Sequence, residues 1–143
     1  MVRRVKWRSR IAEEIALKAC MEALMTGGEM IITEATNNVP LESGTLRRSA
    51  TVSPGRLPNA QQVYTAAMAG QTTQFSLDKP LGKEAVVYVS YNTPYARRMH
   101  EDMGYTPKIA GGPKYLENAV NRLRDKIKRR AEQRIKRALR GAD

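Results

Sequence analysis

The stretch "YARRMHEDMGYTPK", residues 95–108, holds the single histidine of this 143-residue chain, His100, followed directly by Glu101 and Asp102. An imidazole that titrates near neutrality beside a carboxylate is the raw material of a general base with an orienting acid. Two observations weigh against that chemistry. Neighbouring residues on a helix do not face each other. A catalytic reading also needs a further group, and the chain has no second histidine, no HExxH, no CxxC and no GxxxxGK[ST] loop. No catalytic, metal-binding or cofactor-binding residue is therefore assigned, an enzyme is not expected, and His100 is read as a structural or contact residue. The one cysteine, Cys20, leaves no internal disulfide, and its neighbours Ala16, Ala19, Ala23 and Leu24 mark it as a buried small apolar residue.

The other chemistry in the sequence is charge, and its placement matters more than the formal net charge of +11. Residues 1–10 carry five basic groups and no acid, and residues 122–140 carry ten against Asp125 and Glu132, while residues 11–121 are close to neutral. Cations along one amphipathic helix suit nucleic-acid phosphate, an acidic protein surface or an anionic membrane, or form a solvated face. Arg3, Arg4, Lys126, Arg129, Arg130 and Arg137 are the candidates for DNA or acidic-surface contacts. Trp7, between Lys6 and Arg8, could stack on a base or anchor an interface, and a single tryptophan favours the interface. No run of about 18 apolar residues marks a membrane span, and the first ten residues lack the apolar core of a secretory signal.

The elements that must position these groups follow from periodicity. A long helix is expected from Ser9, its N-cap, to Asn37-Asn38, with Ala12, Ala16, Ala19, Ala23, Gly27 and Ile31 on one face and Glu14, Lys18 and Glu22 on the other. Gly27-Gly28 suggests a kink or break. "ESGTLRR" predicts a turn in which Gly44 takes positive φ, then a short helical turn and a strand around 49–53. Residues 55–83 read as a loop or extended arm with a weak strand near 63–69. "EAVVYVSYN", 84–92, is the clearest strand, apolar on both faces as a central strand would be. One or two helical turns follow over 95–103, ended by Gly104. A second long helix follows Gly111-Gly112, with Pro113 suited to its first position, and ends at Gly141, its stripe formed by Leu116, Ala119, Leu123, Ile127, Ala131 and Ile135. At this length a single domain spans 1–143, with 1–10 a basic amino-terminal arm.

Three segments, in order, resemble a family of tailed-phage and prophage neck proteins, described variously as minor capsid, head–tail joining or tail-completion proteins. "VPLESGTLRRSA" (39–50) is similar to the family's Val-Pro, acidic or small residue, Gly, small residue, Leu, Arg, Ser pattern. "YNTPYARRMHEDMGY" (91–105) is similar to its Tyr-Ala followed by an acidic residue and glycine. "GGPKYLENAV" (111–120) resembles its Lys-Phe-Leu-Glu-x-Ala helix opening, with Tyr115 where Phe is usual. The resemblance implies an α+β fold, a long helix beside a small antiparallel sheet, and no catalysis. It implies a homo-oligomeric ring, sixfold, between portal and tail tube, in contact with other neck and tail proteins and near genomic DNA. The location implied is the virion, after synthesis in the host cytoplasm, with no membrane partner. Trp7, Arg47, Arg48, Tyr95, Arg97, Arg98, His100 and Glu101 are then the candidates for subunit or partner contacts. The alternative is a DNA- or RNA-binding protein that uses its basic carboxyl-terminal helix.

Overall fold

The structure is a computed structural model that describes residues 2–39, 44–77, 84–101 and 114–141, of which 2–9 by backbone alone. Its elements run α1 (Val2–Thr36), α2 (Thr45–Arg48), β1 (Ala50–Pro54), α3 (Ala60–Met68), β2 (Val87–Tyr91), α4 (Ala96–Glu101) and α5 (Tyr115–Arg140). The fold is α+β: two long helices with a small antiparallel sheet. The turns expected at Glu42-Ser43, Gly104 and Gly111–Pro113 lie outside the described residues.

Helix α1 begins at Val2, so Ser9 is an interior residue rather than a cap, and residues 2–9 continue the helix instead of forming a separate arm. The helix also runs unbroken through Gly27-Gly28, where a break was expected. Successive helical residues point about 100° apart, and these two glycines face different partners. A Cβ on Gly27 would lie 2.7 Å from Ile127 Cγ2 of α5, and one on Gly28 only 2.5 Å from Val52 Cγ1 of β1. The glycines let α1 wedge between the sheet and α5, and close packing on two sides offsets their roughly 1 kcal/mol helix cost.

Helix α5 lies antiparallel to α1, as the pairs Glu34–Arg122 (2.7 Å) and Glu22–Arg134 (2.8 Å) fix its direction. Glu22 therefore reaches α5 and is not part of a charged row with Lys18; Glu14 pairs instead with Arg10, at 3.7 Å. Cys20 is half-buried, less enclosed than its apolar neighbours suggest. Helix α5 starts at Tyr115, with Lys114 at φ 56° as its N-cap. Gly141 closes the helix as expected, its N–H donating to the Arg137 carbonyl at 3.0 Å.

Among the described residues the sheet has two strands, β1 and β2, with Val52 opposite Val89. β2 is accordingly not a central strand: Val89 faces α1 near Gly28, whereas Tyr88 is 38 % exposed. Its last turn carries a buried polar node. Asn92 Nδ2 donates to the Ser49 carbonyl (2.9 Å) and to Thr51 Oγ1 (3.1 Å), its backbone N–H reaches Ser49 Oγ, and Thr51 and Ser90 share a hydroxyl bond of 3.0 Å. The node ties α2, β1 and β2 into one corner.

The weak strand expected near 63–69 is instead α3. Asn59 caps it by accepting the Gln62 N–H, and Val63 and Ala67, one turn apart, are buried. The remaining stretch at 71–77 carries no regular element.

Candidate functional site

His100 and Glu101 do meet, although adjacent helical residues rarely do. Glu101 is the last residue of α4, so its side chain can fold back, and its Oε1 lies 2.9 Å from His100 Nδ1. His100 Nε2 accepts the backbone N–H of Glu117 at 3.2 Å. An accepting Nε2 is unprotonated, so the proton sits on Nδ1 and is donated to Glu101. The ring also stands edge-on to Tyr115 with centroids 5.1 Å apart.

Position and chemistry together explain this arrangement. Glu117 is the third residue of α5, where a free N–H normally meets a Ser, Asp or Asn at the N-cap. Lys114 occupies the cap and makes no side-chain capping bond. His100, from another helix, does the capping instead. Lys114 Nζ bridges Glu101 (2.5 Å) and Glu117 (3.4 Å), and its N–H donates to the His100 carbonyl. The Lys114 hydrogen bond, then that from His100, holds the Glu101 carboxyl below its usual range, and the Glu101 bond raises the Lys114 ammonium. The His100–Glu117, Lys114–Glu101 and Lys114–His100 bonds dock α4 on the start of α5.

Beneath this contact lies the core junction of Val39, Leu46, Ala96 and Tyr115, with Tyr91, Tyr95, Met99 and Leu116 packed against it. Tyr115 Oη donates to the Ala96 carbonyl at 3.0 Å, which gives the hydroxyl absent from phenylalanine a buried partner. Tyr91 stacks edge-on against Tyr115 at 5.0 Å, and its buried hydroxyl has no hydrogen-bond partner among the described residues. Burial pushes the Tyr91 phenol up to about 12, opposed by the Thr36 hydroxyl, which lies nearby but outside hydrogen-bonding geometry, and by the Arg47 guanidinium. Burial moves Tyr115 in the same direction.

Arg47 and Arg48 are also engaged within the chain. Arg47 donates from Nε and Nη2 to the Val39 carbonyl just past α1 (3.2 and 2.9 Å), and Arg48 Nε donates to the Ala67 carbonyl near the end of α3 (2.9 Å). Cations at helix carboxyl termini complement both the unpaired carbonyls and the dipole. Gly44, at φ 79° as expected, turns the chain into α2 directly under the Arg48 guanidinium. Of the residues expected at contacts, Arg97 and Arg98 are exposed. Trp7, Arg3 and Arg4 fall in the first turns of α1, where side chains are outside the described set.

The cations of α5 form a different kind of site. Arg122 and Arg134 pair with α1 glutamates; the other eight of the ten between 122 and 140 have no carboxylate partner among the described residues. Lys126, Arg129, Arg130 and Arg137 are all exposed. Lys126, Arg130 and Arg137 recur at helical spacing on one flank, with Arg129 about 100° round from Arg130. The apolar pattern predicted this helix face, but the glutamates of α1 that neutralise two of its cations are far away in sequence.

No known protein family, curated protein or solved structure matches this chain.

Proposed function

We propose that this chain is a structural virion protein of a tailed phage or prophage, which completes the tail or joins it to the head as a subunit of a neck ring. One observation carries the reading: the three segments that resemble the neck proteins converge on a single junction. Val39 and Leu46 come from the first, Tyr91, Tyr95, Ala96 and Met99 from the second, Tyr115 and Leu116 from the third. Their likeness is thus one of architecture, since these residues hold α1, α2, β2, α4 and α5 together. The neighbours in such a ring are other neck and tail proteins, and no catalytic step is part of the proposal. Deleting the gene from its phage or prophage should leave DNA-filled heads and separate tails in the electron microscope. Normal infectious particles would contradict it.

The second reading, nucleic-acid binding, is favoured by the eight α5 cations without carboxylate partners. It predicts duplex binding that weakens steeply with salt, with a log–log slope close to the number of phosphates neutralised. Replacing Lys126, Arg129, Arg130 and Arg137 together by alanine should flatten that slope by about 3–4.

A further inference from the structure

On the flank that carries Arg130 and Arg137, α1 and α5 leave a groove of about 360 Å³ between them. Its floor lies where the small residues Ala23 and Gly27 of α1 pack against Ile127 of α5, with Met30 one turn on. The floor is apolar. The α5 wall carries three guanidiniums, Arg130, Arg134 and Arg137, in three different states. Arg134 is neutralised by Glu22 at 2.8 Å. Among the described residues Arg130 has only the thioether of Met30, at 3.6 Å, as an acceptor, and sulfur accepts weakly. Arg137 is exposed, with no carboxylate partner among the described residues.

We propose that this groove docks an acidic amphipathic helix of a partner protein, its aliphatic side chains on the Ala23–Gly27–Ile127 floor and its carboxylates on Arg130 and Arg137. The inference holds whether or not the chain is a neck subunit. Three features select this occupant. An apolar floor is desolvated favourably by aliphatic side chains, which a sugar–phosphate backbone lacks. The Glu22 carboxylate of α1, held against Arg134, opposes a polyphosphate, while that pair shows a carboxylate already seated on this row of guanidiniums. Arg130 and Arg137 are seven residues apart, about 10 Å along α5, which matches glutamates two turns apart on a partner helix.

The test uses the full chain and a synthetic helical peptide with leucines at i, i+4 and i+7 flanked by glutamates. Binding is followed by fluorescence anisotropy and located by amide chemical shifts. The peptide should bind with shifts centred on Thr26, Gly27, Ile127 and Gln133. Replacing its leucines by serine, with charge unchanged, should weaken binding about tenfold or more, as loss of buried anchors does. The R130A/R137A double variant should weaken it comparably. Thr26→Trp, placed on the exposed rim, keeps every cation and fills the groove; it should weaken binding as much with an unchanged melting curve. Equal affinity for the serine peptide, full binding by Thr26→Trp, or no peptide binding would each overturn the proposal. A short DNA duplex that binds more tightly than the peptide, insensitive to Thr26→Trp, would assign the cations to nucleic acid instead.

Discussion

The two ends of the α1–α5 pair are built differently. At the junction end, large side chains and directed hydrogen bonds meet: Tyr91, Tyr115, His100 and Asn92 each fix one geometry. Along the shaft, packing rests on Ala23, Gly27 and Ile127, and the polar contacts are exposed ion pairs. Buried aromatic and polar contacts specify a unique arrangement, whereas small residues and surface pairs set only a distance of approach. The junction therefore determines the fold, and the shaft presents a cationic surface that can change without unfolding it.

The largest expected effect separates the two directly. Tyr115→Ala should cost about 3–5 kcal/mol, as large-to-small core substitutions of aromatics do, while R130A/R137A should shift thermal unfolding very little. Comparable losses in denaturant unfolding would erase the distinction. Alkaline pH should also act on the junction alone. In the unfolded chain both tyrosines ionise near 10, but burial raises them in the fold, Tyr91 to about 12. The stability that burial provides is thus complete below pH 10 and lost as pH rises toward the folded values, at about 1.4 kcal/mol per pH unit and tyrosine. In a tyrosinate absorbance titration, two of the six tyrosines should ionise last, and only as the far-ultraviolet helix signal is lost.

Smaller effects refine the picture within the junction. Tyr115→Phe removes the bond to the Ala96 carbonyl and should cost about 1 kcal/mol. Tyr91→Phe removes a buried hydroxyl without a partner among the described residues, so its change should be close to zero or a gain of up to about 1 kcal/mol. Identical losses in parallel melts would contradict the assignment of the hydroxyls. On the shaft, a double-mutant cycle on Glu22 and Arg134 should yield a coupling of about 0.2–1 kcal/mol that falls with added salt, because both side chains are partly exposed.

Where one element dictates its own pattern, the sequence was readable. The α5 stripe and the Gly44 turn appear where composition and spacing placed them, and β2 forms over 87–91 within the strand expected at 84–92, though not as a central strand. Long-range partners were not. His100 caps a helix that starts 15 residues later, Glu22 reaches Arg134 across the pair, and Gly27-Gly28 accommodates two neighbours rather than a bend. Helix α3 was missed because only Val63 and Ala67 are buried, too few to set a period, and its Asn59 cap resembles any loop asparagine. Asn92 was missed because its partners Ser49 and Thr51 lie 43 and 41 residues away in sequence.

The neck assignment is tested most directly by locating the chain in intact particles. Immunogold labelling of purified virions with an antibody to this protein should place the label at the head–tail junction. Label spread over the capsid shell or along the tail, or particles that lack the protein altogether, would contradict it.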